Sequence, residues 1–306
     1  MTRRLVVTGV DGFVGRHLAR IAGESGVEVF GVSRNPEPGA DLVESLAGYT
    51  SADLRRAWPQ GLPEDADVVH LAGLAAVGPS FDRPQDYIDG NSAIVTNMCE
   101  ALVGSGFTGR VVGVSTGAVY AQKEGEGART ERDPVAFTSP YVVSKILVEN
   151  QLAYYSRRGL RTVVARPFNH IGPHQGPGFL LPDLLRQLQS SPQGRPLRVG
   201  NLATRRDYTD VRDVARAYLA LATARELTYD VYNVASGTSR SGSEIVDALA
   251  AAIGRPTPSL DVDESLIRAT DPPIIVGDAS RLRSDTGWSP AVSFDQTIAD
   301  TVAAAR

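Results

Sequence analysis

The sequence of 306 residues predicts an α/β protein, with a doubly wound parallel sheet followed by a smaller mixed α/β lobe. Two observations lead to this fold class. Short β-branched runs alternate with helical patterns over the first 165 residues or so, and a glycine-rich turn follows the first of those runs. After Arg166 the elements become shorter and mixed. We therefore predict a first domain at 1–166, with a return near 205–235, and a second lobe at 167–306.

The first domain is predicted to alternate strands and helices. Runs of Val without polar alternation are typical of parallel strands that are buried on both faces. The predicted strands are "RRLVVTG", "VEVFGVSR", "DADVVHLAG", "GRVVGVST" and "LRTVVARPF". The predicted helices between them are "FVGRHLARIAGESG", "DGNSAIVTNMCEALVGSG" and "SPYVVSKILVENQLAYYSRRG".

The second lobe is predicted to begin with a loop, "RPFNHIGPHQGPGF", which is rich in Gly and Pro. A helix, a strand, and then a strand end leading into a long helix come next: "LLPDLLRQLQSS", "RPLRVGN" and "TRRDYTDVRDVARAYLALATA". The strand "YDVYNVAS" precedes the helix "SGSEIVDALAAAIG", for which Ser241 or Ser243 is the expected N-cap. A last helix closes the chain.

Composition and charge exclude several classes of function. The net charge is -4 and the Arg and Lys residues are spread along the chain, so no nucleic-acid footprint is expected. The single cysteine, Cys99, rules out an intrachain disulfide and suits a reducing, cytoplasmic location. No run approaches the roughly 18 apolar residues of a membrane span, and the N-terminal apolar run is too short for a signal peptide. His170 and His174 lie in a Gly/Pro-rich loop without nearby cysteines, so we expect no metal site.

The turn after the first strand reads "TGVDGFVG", with glycines at Gly9, Gly12 and Gly15. Glycine permits a tight turn and lets backbone N–H groups approach a pyrophosphate, while the helix N-terminus adds partial positive charge. The triplet lies between a predicted strand and a predicted helix, as a dinucleotide-binding turn requires. We therefore assign cofactor binding to the three glycines and to Phe13.

The end of the second strand distinguishes NAD from NADP. A carboxylate there would accept hydrogen bonds from the ribose of NAD, but this chain has Ser33 and Arg34, and an arginine suits a 2′-phosphate. NADP(H) is therefore predicted in preference to NAD(H). Further cofactor contacts are assigned to residues placed near the adenine or at the carboxyl edge of the sheet: Asp53, Leu54, Leu71, Ala72, Gly73 and Pro167. Tyr141 and Lys145 are also assigned to the cofactor, with Lys145 expected to hydrogen-bond the nicotinamide ribose.

Tyr141 and Lys145 are four residues apart at the start of a predicted helix and therefore share a face. The pKa of a tyrosine is normally near 10. A nearby ammonium, together with a nicotinamide cation, is expected to lower that pKa and let Tyr141 exchange a proton with a sugar oxygen. Ser115 and Thr116, at the end of the preceding strand, are candidates to hold that oxygen.

These motifs, in this order and spacing, closely resemble those of the extended short-chain dehydrogenases/reductases over essentially the whole chain. The resemblance implies a Rossmann domain that binds the cofactor and a C-terminal lobe that binds the substrate. It implies that Thr116, Tyr141 and Lys145 are the catalytic residues, with Tyr120 as a landmark. Ala121 departs from the glycine that usually follows that tyrosine.

The branch of the family follows from the residues after Thr116. The 4,6-dehydratases carry Asp-Glu there, whereas this chain has Gly117 and Ala118, so dehydration lacks its acid and base. "ARPFNHIGPHQGPGF", "GNLATRRDYTDVRDVARAY" and "DASRLRSDTGWSP" resemble the GDP-4-keto-6-deoxy-D-mannose reductases. This likeness implies reduction of the C4 ketone of a nucleoside-diphosphate 4-keto-6-deoxyhexose. An NAD-dependent 4-epimerase and a non-enzymatic NADP-sensing module are the alternatives.

The resemblance also suggests contacts to the substrate and a dimer. It implies that Asn169 contacts the sugar or its phosphate, that Arg206 and Arg268 contact the diphosphate, and that Asp271 contacts the ribose or base. Ser115 is assigned to the substrate as the alternative to Thr116 for holding the sugar oxygen. Arg268 is followed by Ala269 where the family usually has proline. Family members usually dimerise through two helices, here roughly 91–104 and 140–158. The base and the C4 configuration of the product stay open.

Overall fold

The computed structural model describes residues 2–122, 125, 127–192, 194–266 and 272–305. The strands are β1 (Arg4–Thr8), β2 (Glu28–Ser33), β3 (Gly48–Ser51), β4 (Asp67–His70), β5 (Arg110–Val114), β6 (Arg161–Pro167), β7 (Asn169–Ile171), β8 (Leu197–Val199), β9 (Arg205–Asp210), β10 (Val231–Val234), β11 (Ser239–Ser241), β12 (Leu260–Val262) and β13 (Ile274–Ile275). The helices are α1 (Phe13–Glu24), α2 (Val77–Asp82), α3 (Pro84–Ser105), α4 (Pro140–Arg157), α5 (Leu180–Ser190), α6 (Val211–Thr223), α7 (Gly242–Ala252), α8 (Ser280–Thr286) and α9 (Phe294–Ala304).

The predicted doubly wound sheet is confirmed. Seven parallel strands lie in the order β3-β2-β1-β4-β5-β6-β10. The strand order reverses between β1 and β4, and open α/β sheets bind their ligands beside the carboxyl ends of the strands at such a point. The short edge strand β3, which carries the sequence "GYTS", was not predicted.

The core of the sheet domain has two layers. Successive residues of a strand point to opposite faces, which explains why the strands read as continuous apolar runs. In β1, Leu5 and Val7 pack on the face that α1 and α6 cover, whereas Val6 packs on the face of α3 and α4. Cys99 is fully buried in the second layer, where burial raises its pKa to about 12, so this thiol is an inert core group.

The C-terminal lobe is built around β9, which pairs in parallel with β7 and β13 and antiparallel with β11. Helices α5, α7 and α9 bury their apolar faces together, with Leu184, Ile245 and Ile298 among the buried residues. Ser241 is the N-cap of α7 and forms a capping box with Glu244. Within the described ranges, no helix has the length and apolar character needed to cross a bilayer.

Candidate active site

A cleft of about 340 Å³ opens at the carboxyl edge of the sheet, where β1, β2 and β4 end. Its lining includes nine of the residues that we assigned to the cofactor: Gly9, Gly12, Ser33, Arg34, Asp53, Leu54, Leu71, Ala72 and Gly73. Of the other assigned residues, Gly15 lies beneath the loop, Phe13 begins α1, and Pro167 ends β6.

The glycine loop brings β1 and α1 close together at the floor of the cleft. Gly9 has φ +69°, in the left-handed region that favours glycine. A Cβ on Gly15 would lie 2.4 Å from the Gly9 carbonyl oxygen, so only glycine fits at that helix–loop contact. Gly12 is exposed and is the N-cap of α1. This loop, with the N-terminus of α1 beside it, fits the pyrophosphate of a dinucleotide.

Thr8 connects the ends of β1 and β4 below the cleft. Its hydroxyl oxygen accepts hydrogen bonds from the backbone N–H groups of Leu71 (3.1 Å) and Ala72 (3.2 Å). The same oxygen lies 2.8 Å from Nδ1 of His70. Burial, with the Lys145 charge adding to it, lowers the pKa of His70 to about 3, so the ring is neutral, and its tautomer sets which of the two groups donates. These bonds fix the loop that carries Leu71 to Gly73.

A carboxylate from the glycine loop lies against the end of β2, and it was not predicted from the sequence. Asp11, from the glycine loop, accepts hydrogen bonds at Oδ2 from the Ser33 hydroxyl (2.5 Å) and the Asn35 side-chain amide (2.9 Å). The Tyr49 hydroxyl lies 3.1 Å from the same oxygen. Arg34 is exposed beside this group and makes no hydrogen bond or ion pair with the residues that the structure describes. A single-sequence pattern offered no signal for this contact, because Asp11 and Ser33 are far apart along the chain.

The predicted catalytic triplet, Thr116, Tyr141 and Lys145, lies where β5 ends and α4 begins. Ser139 is the N-cap of α4, which places Tyr141 and Lys145 on one face of the first turns. Tyr141 is 7% exposed and hydrogen-bonds with Thr116, which precedes a short turn at Gly117–Val119. Nζ of Lys145 donates to the Val114 carbonyl (2.9 Å) and lies 6.0 Å from the centre of the Tyr141 ring. The three residues that we predicted as catalytic are thus brought together.

The expected direction of the Tyr141 pKa is wrong for this structure. Burial raises the pKa of Tyr141 to about 12, although the hydrogen bond with Thr116 opposes that rise. Burial lowers the pKa of Lys145 to about 8, with Glu149 opposing. The expected ammonium effect is missing because Lys145 is directed at a backbone carbonyl. Tyr141 is therefore held as a neutral acid.

A buried charged network supports the triplet from behind. Arg166 makes two hydrogen bonds to Glu149, at 2.9 and 2.6 Å, and donates a third to the Tyr120 hydroxyl at 3.1 Å. Tyr120 in turn donates to Asn233 at 2.6 Å. The Ser115 hydroxyl, which we assigned to the substrate, is buried and donates to Glu149. Ser115 thus belongs to this network, whereas the neighbouring Thr116 contacts Tyr141.

Asn91 is a further positioning residue that the sequence analysis did not identify. Its side-chain oxygen accepts from Leu74 N (2.8 Å), and its amide donates to Leu74 O (3.1 Å) and to the Ser144 hydroxyl (3.0 Å). Ser144 donates to the Tyr141 carbonyl at 2.7 Å. Asn91 therefore joins the lining of the cleft to the helix turn that bears Tyr141.

The residues that we assigned to the substrate lie on the C-terminal side. Asn169 is exposed at the start of β7, and Arg206 is largely buried on β9, where it donates to the Arg205 carbonyl at 2.7 Å. Arg268 and Asp271 lie outside the described residues. His170 stacks on Phe13, with ring centres 6.0 Å apart. Among the described residues no group of ligands suits a metal ion.

Comparison with known proteins agrees with this geometry. Residues 5–235 match the family model "NAD dependent epimerase/dehydratase family". GDP-6-deoxy-D-mannose reductase of Pseudomonas aeruginosa is 34% identical, with 97% of this chain and 95% of the relative covered. The structure of RMD from Pseudomonas aeruginosa complexed with NADPH matches with TM-score 0.84 and 31% identity over 99% of this chain and 98% of that one.

An epimerase is structurally as similar. The Thermus thermophilus UDP-glucose 4-epimerase in complex with NAD matches with TM-score 0.84 and 27% identity, covering 98% of each chain. The predicted resemblance to the extended short-chain dehydrogenases/reductases is thereby confirmed. This chain belongs to the NAD dependent epimerase/dehydratase family and is a nicotinamide-dependent enzyme of that family.

Proposed function

We propose that this enzyme reduces the C4 ketone of a nucleoside-diphosphate 4-keto-6-deoxyhexose with NADPH. The substrate that we favour is GDP-4-keto-6-deoxy-D-mannose, and its product is GDP-6-deoxy-D-mannose. One observation carries the proposal: the buried Tyr141 lies beside Thr116, and Ser144 joins its helix turn to Asn91, which lines the cleft. The 34% identity with a reductase of that specificity supports the choice of sugar.

The cofactor would be held by the glycine loop and by the ends of β2 and β4. Arg34 is exposed at the cleft and is the cation suited to a 2′-phosphate, which favours NADP(H). Bound NADPH supplies the hydride that the protein itself cannot provide.

The protein supplies the proton and the orientation. Tyr141 donates its phenolic proton to the carbonyl oxygen of the sugar as that oxygen gains negative charge. The Thr116 hydroxyl holds the same oxygen in line with Tyr141. Lys145, whose position is fixed by the Val114 carbonyl, would hydrogen-bond the nicotinamide ribose. A tyrosine with a raised pKa is suited to the reductive direction, in which it must begin protonated.

Dehydration is disfavoured by the turn after Thr116. A Cβ on the buried Gly117 would lie 2.9 Å from the Phe168 ring, so there is no room for a carboxyl side chain at that position. Ala118 has no ionisable group. The turn therefore lacks the acid and base for elimination of water and leaves Tyr141 as the proton donor.

The substrate would lie between the cleft and the C-terminal lobe. We propose that Asn169 contacts the sugar or its phosphate, and that Arg206 and Arg268 contact the diphosphate, because a guanidinium matches phosphate oxygens with paired donors. Asp271 is proposed to contact the ribose or base.

We also propose a homodimer formed through α3 and α4 and a cytoplasmic location. Size-exclusion chromatography with light scattering tests the dimer.

A 4-epimerase using NAD is the second candidate. The structural likeness to the Thermus thermophilus epimerase, whose TM-score equals that of the reductase RMD, favours it. An epimerase would use the same Tyr141 and Lys145, but it would return the hydride to the sugar and consume no cofactor. The exposed Arg34 argues for the reductase, because a tightly held NAD has no 2′-phosphate for it to bind.

The test follows NADPH absorbance after GDP- or dTDP-4-keto-6-deoxyhexose is added, each made in place by a dehydratase. Oxidation with the GDP sugar alone supports the proposal. Oxidation with the dTDP sugar alone keeps the reaction type but shows that the substrate is a dTDP sugar. No oxidation with either sugar overturns the reductase. Tyr141→Phe should lose about 100-fold or more in turnover and keep cofactor affinity. Tyr218→Phe, which also removes a buried phenolic hydroxyl, is the matched control and should keep turnover.

A further inference from the structure

The glycine loop carries a negative charge into the part of the cleft where NADP and NAD differ. Asp11 lines the cleft together with Ser33, Arg34 and Asn35. In doubly wound folds, the residues at the end of the second strand face the ribose 2′ position of the dinucleotide. Elsewhere in such folds the deciding carboxylate belongs to that strand itself; here it is supplied by the loop before α1.

The Asp11 carboxylate is ionised and has no cationic partner in the described part of the chain. Burial acts to raise its pKa, but hydrogen bonds from Ser33, Gly39, Tyr49 and Asn35 outweigh burial, and the pKa is lowered. Among the described residues no Lys or Arg forms an ion pair with it; Arg16 donates only to its backbone carbonyl. Its negative charge is therefore not cancelled where the 2′ substituent would lie.

The same carboxylate also uses up the donors that a 2′-phosphate needs. The Ser33 hydroxyl has one proton and gives it to Asp11, while its oxygen accepts from the Asn35 backbone N–H at 3.2 Å. The Asn35 side-chain amide also donates to Asp11. Ser33 can still accept a hydrogen bond from a ribose hydroxyl, but it has no proton left for a phosphate oxygen. Asp11, Ser33 and Asn35 together therefore suit the neutral 2′-hydroxyl better than the charged 2′-phosphate.

We propose that Asp11 is a cofactor-specificity residue whose effect is opposite to that of Arg34. Its negative charge lowers the affinity for NADP(H), through the 2′-phosphate, and leaves the affinity for NAD(H) nearly unchanged. The preference of the enzyme is then the balance of two opposite charges at one end of the cleft. This inference rests on the cofactor site of the proposed function and not on the identity of the sugar.

The test measures dissociation constants of NADP⁺ and NAD⁺ by calorimetry, without sugar, for the wild-type protein and the Asp11→Asn variant. Asparagine keeps the size and an acceptor for Ser33 but removes the charge. We expect the dissociation constant for NADP⁺ to fall by about tenfold and that for NAD⁺ to stay within about twofold. Arg34→Ala should shift the ratio in the opposite direction.

Asp53→Asn is the matched control, because Asp53 lines the same cleft but is paired with Arg55 at 2.7 Å. It should change both constants by the same factor. Asp11→Ser gives a second test if Asp11→Asn does not fold, as checked by thermal melting. An unchanged NADP⁺/NAD⁺ ratio in the Asp11 variants, or an equal shift in Asp53→Asn, overturns the inference. Failure of the proposed function looks different: both dinucleotides bind, but no keto sugar is reduced.

Discussion

Replacement of Gly15 by alanine tests the close contact between the glycine loop and α1. The added Cβ would lie 2.4 Å from the Gly9 carbonyl oxygen and 2.7 Å from both Cα and the carbonyl oxygen of Val10. Comfortable separations of such atoms are about 3.5 Å or more, so the loop must move by about 1 Å. All three atoms are backbone atoms, and no flexible side chain can yield instead.

The size of the effect follows from that overlap. Overpacking of this kind costs about 1–3 kcal/mol of folding free energy. The displaced loop is the one that would hold the pyrophosphate, so we also expect affinity for NADP⁺ to fall by about 10- to 100-fold. Urea denaturation measures the stability loss, and calorimetric titration measures the affinity.

Gly104→Ala is the matched control, since Gly104 is also helical and nothing lies within 4 Å of its added Cβ. Alanine there should stabilise the protein by about 0.5–1 kcal/mol and leave NADP⁺ binding unchanged. If Gly15→Ala bound NADP⁺ and unfolded like the wild-type protein, the steric reasoning would be refuted.

Further predictions concern buried polar groups. The Tyr218 hydroxyl is buried without a hydrogen-bond partner in the described structure, so Tyr218→Phe should raise the free energy of unfolding by about 1 kcal/mol; a loss of stability would contradict this. Glu149→Ala leaves Arg166 buried and unpaired and should cost about 3–5 kcal/mol, and combining it with Arg166→Met should recover most of that loss in urea denaturation. The folded-state pKa of Lys145 is lowered to about 8 from 10.5, so the unfolded chain binds more protons between these values and stability should rise with pH across that window. Lys145→Met should lack that rise, and identical pH profiles of the two proteins would count against the shift.

Much of the fold could be predicted because local patterns and tertiary structure agree. Runs such as "RRLVVTG" have consecutive apolar residues, and only a strand covered on both faces needs that pattern. The spacing of Gly9, Gly12 and Gly15 likewise reports a backbone contact that the structure contains. The short β3 was missed because four residues at a sheet edge carry too little apolar periodicity.

The parts of the site that were missed depend on contacts between distant segments. Asp11 meets Ser33 only because the glycine loop folds back over the end of β2. Thr116 was named from the sequence as the partner of Tyr141, but the donation of the neighbouring Ser115 hydroxyl to Glu149 was not predicted, because Glu149 is distant along the chain. The pKa of Tyr141 depends on burial, which residue spacing does not determine.

The most direct test of the central claim is the stoichiometry of NADPH oxidation per sugar converted, with the product followed by NMR. For a reductase acting on GDP-4-keto-6-deoxy-D-mannose, we predict one NADPH oxidised for each GDP-6-deoxy-D-mannose formed, with Tyr141→Phe nearly inactive. Conversion of a nucleotide sugar at C4 without consumption of NADPH would contradict the account and identify the enzyme as an epimerase.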